Sequence, residues 1–411
     1  MKIVHVSTSD VEGGAAKAAY RLHKALLERG IESKMLVMSK KTDELYIDVA
    51  KNNYMEKYFF SNIRKLNEKV IWNKFKNREN PILFSSGKFG IDITKHPYIL
   101  DANVIHLHWI NANYISVKTL KKLKMLNKKI VWTFHDMWPF TGGCHYSSSC
   151  RKYEEKCGNC PILKTNNEND ITRKIWNEKN KILKDLDITV ITCSNWLGEC
   201  AKKSSLFKEK NIYVVPNVLD NKIFKPIDKS FAREVLNLDK NRKYISFGAM
   251  NSTSDPRKGW KYLKEAITLL NEKNPKIKEK LELLVFGTSH SKDIEELPFK
   301  IKFMGKVYDE YTLSLLYNAS DVFVAPSLED NLPNTVLESL HCGTPVVAFN
   351  IGGMSDMIIH KQNGYLAKYK DSVDLAKGID WCLKNLNSVY IRNNFNKEQV
   401  LNKLLHIYKM G

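Results

Sequence analysis

The chain has 411 residues and a formal net charge of +20, from 65 Lys and Arg against 45 Asp and Glu. That length exceeds one ordinary domain and provides for two, each able to bury a core of its own. The charge excess favours an anionic partner: nucleic acid, a phosphate-bearing ligand or an acidic membrane surface. The opening MKIVHVSTSD has too few apolar residues for a secretory leader, and no apolar run approaches the roughly 20 residues that span a bilayer. The expectation is a cytoplasmic protein, soluble or attached at the inner face of the cell membrane.

KIVHVS (2–7) is a short apolar run with a β-branched bias, followed by Gly13 and Gly14 and then by AAKAAYRLHKALLERG (15–30), apolar at Ala15, Ala19, Leu22 and Leu26. This predicts strand, glycine loop and helix, stopped at Gly30, and SKMLVM (33–38) supplies the next strand. Two glycine amides and a helix N-terminus would then face a ligand above the sheet. From 54 to 78 a helical stripe of Phe59, Ile63, Leu66 and Val70 is flanked by five lysines. Such a helix either packs on its own domain or lies on an anionic membrane. VIHLHW (104–109) and KIVWTFHD (129–136) are two more buried strands around a lysine-rich helix, and TRKIWNEKNKILKDL (172–186), ITVITCS (188–194) and NIYVVPN (211–217) continue the rhythm. Pro216 and Pro226 mark a domain border near residue 220.

The second half repeats the alternation. KYISFGAM (243–250), the loop SDPRKG (254–259), a helix from Trp260, KLELLVFG (280–287), IKFMG (301–305), a helix from Glu310, DVFVAPS (321–327), PVVAF (345–349) and GYLAK (364–368) follow in order. The expected class is α/β, two doubly wound parallel sheets. The domains read as 1–220, carrying a four-cysteine insertion at 144–160, and 221–390, with a terminal helix in 391–411 crossing back to the first.

Three groups carry chemistry. In APSLEDNLPNTVLESLHCGTPVVAFN (325–350), Asp330 lies on the loop leaving a strand and Glu338 on the following helix. That points two carboxylates into the crevice where open α/β sheets bind ligands, and a carboxylate there suits a sugar diol. The alternative is that Asp330 caps the helix and Glu338 is solvated. Arg257 and Lys258, at a helix N-terminus, form a diphosphate clamp or a solvated basic turn. Cys144, Cys150, Cys157 and Cys160 are spaced C-x5-C-x6-C-x2-C; four thiolates in a cytoplasmic chain fit a closed structural zinc site, with His145 as a substitute ligand and redox disulfides as the alternative.

The run 326–347 resembles the signature of retaining GT-B glycosyltransferases of family four, in which an acid, seven residues and a glutamate lie between a PS strand end and CGTPVV. The register selects Asp330 as that acid, with Glu329 beside it. Gly13 and Gly14 match the family's glycine loop, His135 in FHD its first-domain histidine, PNVLD (216–220) its interdomain PNGVD, and PRKG its phosphate lysine; Ala249 stands where the family often has arginine. The resemblance implies two Rossmann-like domains facing across a cleft and a nucleotide diphosphate sugar donor. It assigns Glu338 to the ribose, Arg257 and Lys258 to the diphosphate, Asp330 and the amides near Asn331 and Leu332 to the sugar, and His135 to the sugar's hydroxymethyl region. It implies no catalytic metal and an acceptor that is a glycan or is linked to polyprenyl diphosphate. WTFHDMWPFTGGCHY with CGNCP resembles a subgroup building capsule, exopolysaccharide or O-antigen chains (colanic-acid type). The alternatives are a zinc-ribbon nucleic-acid-binding protein, against which no nucleic-acid-binding signature is visible, and a GT-B nucleotide-sugar epimerase.

Overall fold

The computed structural model describes residues 1–50, 66, 84–248, 255–287 and 297–410. The basic amphipathic stretch 54–78, apart from Leu66, and Ala249 lie outside them. Two compact units divide the chain: Met1–Pro216 with Leu401–Gly411, and Asn217–Val400.

In the N-terminal unit the elements run β1 (Lys2–Ser9), α1 (Gly14–Glu28), β2 (Glu32–Ser39), β3 (Ile47–Val49), α2 (Pro97–Asp101), β4 (Val104–Leu107), α3 (Val117–Lys124), β5 (Lys129–Phe134), α4 (Ile171–Leu183), β6 (Thr189–Thr192), α5 (Asn195–Lys203) and β7 (Ile212–Val214). The seven strands are parallel in the order β3-β2-β1-β4-β5-β6-β7. The order reverses between β1 and β4, because the chain first winds outward on one side of β1 and then returns to the other. Alternation along each strand sorts the side chains. Val4 and Val6, Ile105 and Leu107, and Trp132 and Phe134 join the apolar core, whereas His5, His106 and Thr133 are buried on the opposite face.

The second unit contains α6 (Lys229–Val235), β8 (Lys243–Gly248), α7 (Trp260–Lys273), β9 (Leu281–Phe286), β10 (Lys300–Gly305), α8 (Glu310–Ala319), β11 (Val322–Ala325), α9 (Asn334–His341), β12 (Val346–Phe349), α10 (Met354–Met357), β13 (Gly364–Ala367) and α11 (Ser372–Asn385). Its six parallel strands are ordered β10-β9-β8-β11-β12-β13, reversing between β8 and β11. Ile245, Val285, Val324, Val347 and Phe349 centre its core. The final helix, α12 (Lys397–Lys409), begins at the border of this unit, and its residues from Leu401 on group with the N-terminal one. There Tyr408 hydrogen-bonds His106 across 302 residues of sequence. Among the described residues no helix is long and apolar enough to cross a membrane.

The amino ends of β8 and β11 are tied by a buried ion cluster. Asp321 accepts from Arg233 Nη2 at 2.7 Å, from the Tyr244 amide at 2.8 Å and from Lys229 Nζ at 3.1 Å. Burial alone would raise the Asp321 pKa, but Lys229, the Tyr244 amide, Arg233 and Lys243 bring it below the usual carboxylate value. Removing one partner of such a group strands a buried charge, so Asp321→Ala should cost about 3–5 kcal/mol in chemical denaturation. Because the folded pKa is the lower one, the stabilisation should be complete above about pH 4 and lost as acid titrates the carboxylate. A stability difference between the two proteins that stays constant down to pH 2.5 would refute this.

Candidate active site

The carboxyl ends of β8 and β11 flank the point where the strand order reverses, the place where a doubly wound sheet leaves a crevice. Two loops meet there backbone to backbone. The loop after β8 ends in a single 3-10 turn, Pro256–Lys258, and then in Gly259, whose φ of 71° is left-handed. A Cβ on Gly259 would stand 1.8 Å from the carbonyl oxygen of Pro326, just after β11. The Leu328 amide donates to the Arg257 carbonyl at 2.7 Å. On the far side, a Cβ on Gly352 (φ 51°) would stand 1.9 Å from the carbonyl oxygen of Asp330.

This closure brings Lys258 to Asp330. Its Nζ lies 2.8 Å from Asp330 Oδ2, which the Ser327 hydroxyl also approaches at 3.5 Å. Asp330 therefore does not cap α9; the N-cap is Pro333, with no side-chain bond. Arg257 pairs with Asp255 of its own loop at 2.7 Å. Asn331 and Leu332 are buried beside Asp330. Glu338 is not solvated either: it is 3 % exposed, and its Oε2 accepts from the Tyr317 hydroxyl of α8 at 2.9 Å. The acid pair is thus split between two partners, Lys258 for one and a phenol for the other.

In the N-terminal unit, Gly13 caps α1 with a φ of 93°, where a side chain would find space but an unfavourable backbone; Gly14 is the first residue of the helix. Asp10, just before this turn, accepts from the amides of Val11, Lys41 and Thr42 and from the Thr42 hydroxyl, at 2.9–3.1 Å. Sequence reasoning passed over Asp10, although an acid between a strand end and a Gly-Gly loop is a visible signal.

His135 follows β5 directly and is half-buried. Burial holds its imidazole down to about 4, against the pull of neighbouring Asp136, so it is neutral near pH 7. Asp136 was also missed, and it organises the loop. It accepts from Trp109 Nε1 at 2.8 Å, from the Trp138 amide at 2.9 Å and from His145 Nδ1 at 2.6 Å, and His145 Nε2 lies 2.9 Å from the Ser85 hydroxyl. Both ring nitrogens of His145 are therefore engaged, and it serves as a strut that fastens the cysteine segment to β5.

All eight cysteines are free thiols. Cys144, Cys157 and Cys160 are buried and Cys150 half-buried, and each of the first three is pushed up chiefly by burial, with further contributions from the other thiols of the group. The Gly142 amide donates to Cys157 Sγ at 3.1 Å. Lys179 reaches under the segment, 1 % exposed, donating to the carbonyls of Trp138 and Thr141. Among the described residues, the side chains whose donor atoms converge in threes within 4.8 Å are His5, His106 and His108, and no three of the thiols do so.

Two doubly wound parallel-sheet units in one chain are the architecture of the GT-B class of glycosyltransferases. Residues 12–222 match the profile described as Glycosyltransferase Family 4, and residues 241–385 that described as Glycosyl transferases group 1. The chain belongs to glycosyltransferase family 4, and it is a glycosyltransferase. It is 24 % identical over 396 residues, 92 % of this chain and 90 % of the relative, to WcaC of Escherichia coli (strain K12), which is named for colanic acid biosynthesis. Its fold is similar to that of sucrose-phosphate synthase from Thermosynechococcus elongatus, with a TM-score of 0.63 at 19 % identity, covering 100 % of this chain and 98 % of that one. The Anabaena protein HepE, solved with UDP-glucose, matches with a TM-score of 0.60 at 16 % identity over 100 % and 97 % of the two chains.

Neither Gly259 nor Gly352 leaves room for a methyl group. Gly259→Ala and Gly352→Ala should each cost about 2 kcal/mol or more, because the left-handed backbone is strained and a carbonyl must move. Denaturant titration checks this, and an alanine variant as stable as the parent would contradict the closure.

Proposed function

We propose that the protein moves a sugar, with retention at the anomeric carbon and without a catalytic metal ion, from a nucleotide diphosphate sugar to a glycan or polyprenyl-diphosphate-linked acceptor in bacterial surface polysaccharide synthesis. The observation that carries this reading is the Lys258–Asp330 pair at the β8/β11 switch point. A lysine there supplies a fixed positive charge where a diphosphate leaving group gains negative charge, and an arriving phosphate would compete with Asp330 for it. Arg257 adds a planar donor set to the same clamp. Glu338 is assigned to the ribose hydroxyls, with the Tyr317 hydroxyl orienting its carboxylate, and Asp330 with the amides near Asn331 and Leu332 to the donor sugar. Gly13, Gly14 and His135 are assigned to the reacting centre from the N-terminal unit.

In the proposed transfer the bond from the anomeric carbon to the diphosphate oxygen breaks, and a bond from the acceptor oxygen forms on the same face. The acceptor's hydroxyl proton passes to the departing diphosphate. The fixed cations of the PRKG loop are suited to stabilising that leaving group. The proposed acceptor class is supported by the similarity to WcaC, which spans nearly the whole chain, and a cytoplasmic-face location suits an acceptor presented at the membrane. Domain roles follow the same reading: residues 1–220 for the acceptor, 221–390 for the donor and 391–411 as the returning helix.

Cys144, Cys150, Cys157 and Cys160 are proposed to hold a structural zinc ion. The donor set fits in kind, with four thiols within one 17-residue segment, an amide directed at Cys157 Sγ and a buried lysine that would offset the −2 charge of a tetrathiolate zinc centre, and a metal ion would draw the sulfurs closer than they now stand. Elemental analysis of the purified protein should find about one zinc per chain; less than about half an equivalent, without oxidation, would reject the site.

A thermal-shift panel of nucleoside diphosphates and their sugars tests the donor assignment. A true donor at 100 times its dissociation constant should stabilise the protein by about 2.7 kcal/mol. Lys258→Met should lower turnover by about 100-fold or more, and Glu338→Gln should weaken nucleotide binding. Unchanged nucleotide affinity in Glu338→Gln would remove the ribose assignment.

A further inference from the structure

The N-terminal sheet buries a run of imidazoles across three neighbouring strands. His5 is on β1, His106 and His108 are on and just after β4, and His135 follows β5. Nε2 of His135 lies 3.2 Å from Nδ1 of His108, and Nε2 of His108 lies 3.0 Å from Nδ1 of His5. His106 stands beside this chain without joining it. Its Nδ1 faces the Tyr408 hydroxyl at 2.6 Å and its Nε2 the Thr133 hydroxyl at 2.7 Å.

Burial keeps the chain neutral: His5 and His108 lie well below the usual imidazole value, and His135 is held to about 4. A neutral imidazole has one N–H and one bare nitrogen. Three rings joined nitrogen to nitrogen must therefore all donate in the same direction, and either end fixes the whole. At the inner end, His5 Nε2 is buried with no hydrogen-bond partner among the described residues. A stranded N–H is the rarer defect in protein interiors than an unused acceptor, which puts the His5 proton on Nδ1. At the outer end, His135 Nδ1 lies 3.7 Å from Cys193 Sγ, which lies 3.6 Å from the carbonyl oxygen of Phe134. A carbonyl only accepts, so the thiol proton goes to it and the sulfur is left to accept from His135 Nδ1–H. The two ends agree.

We propose that His5 and His108 are positioning residues that hold His135 as its Nδ1–H tautomer, with Nδ1–H directed at Cys193 Sγ and Nε2 taken up by His108. This rests on the role proposed above for His135 and sharpens it. A ring held in this way has its nitrogens taken up by His108 and Cys193 and offers no bare nitrogen to the acceptor's proton, which leaves that proton to the departing diphosphate.

Two-bond 1H–15N spectra of the full chain labelled with [15N]histidine report each tautomer directly, with His135 assigned from the signal lost in His135→Asn. The expected result is Nδ1–H for His5, His108 and His135. His5→Leu should release His108 and convert His135 partly or wholly to Nε2–H, with kcat lower by about tenfold and KM for the donor within about twofold. His5→Asn, whose amide replaces the Nδ1 donor, should restore both. A His135 already Nε2–H in the unaltered protein would overturn the proposal, and this spectrum needs no variant to fold. So would a His135 signal unmoved in both His5→Leu and His108→Leu, or joint shifts of His5, His106 and His108 on adding Zn2+ or Co2+, which would make the cluster a metal site. Full turnover by His135→Ala, with the tautomers as assigned, would instead remove His135 from the reaction and leave the hydrogen-bond chain standing.

Discussion

Close approach of backbone to backbone at the β8/β11 switch point is the constraint on which the C-terminal unit depends. Gly259 against the Pro326 carbonyl and Gly352 against the Asp330 carbonyl leave no volume for a Cβ, and the Leu328 amide bonds the Arg257 carbonyl. With the main chains locked, the Lys258 ammonium and the Asp330 carboxylate meet at 2.8 Å. At the opposite end of the same strands, Asp321 gathers three cationic side chains and an amide, so the strands that carry the site are fixed at both ends.

The N-terminal unit solves a different problem, the burial of polar rings inside a parallel sheet. One face of β1, β4 and β5 is apolar and belongs to the core, and the other carries His5, His106 and Thr133. Each of these groups is costly to bury alone. They are tolerated because His5 meets His108 and His106 meets Thr133 on the neighbouring strand, and because α12 returns Tyr408 to His106. Asp136 does the same for the cysteine segment: by accepting from His145 and Trp109 it binds that segment to the end of β5, one residue from His135. The cysteine segment and the loop of His135 thereby share a single buried carboxylate.

Much was legible beforehand because it depends on local chemistry. Parallel strands buried on both faces must be apolar runs, and helices between them must be amphipathic, so the α/β alternation could be read from KIVHVS to GYLAK. The glycine loop, PRKG and the 325–350 run were legible because turns and helix N-termini restrict residue types. His145 was not: beside a cysteine it looks like a ligand, and only the fold shows both of its nitrogens committed to Asp136 and Ser85. Asp136 was not singled out because a lone acid after a strand has no periodicity to mark it, whereas Asp10 stands in a position, between a strand end and the Gly-Gly loop, that does mark it.

The sequence by itself determined the two-sheet class, the places where loops must tighten and the residues with chemistry to offer, since these follow from hydrophobic period, backbone freedom and side-chain type. Only the tertiary structure decided what those residues hold. It gave Asp330 to Lys258 rather than to a helix cap, gave Glu338 to Tyr317 rather than to solvent, and aligned His5, His108 and His135 nitrogen to nitrogen. The reason is physical. Each of these contacts joins residues from separate elements or the loops that follow them, 21 to 103 positions apart, and strand register and loop closure, which local composition does not encode, set the distances between them.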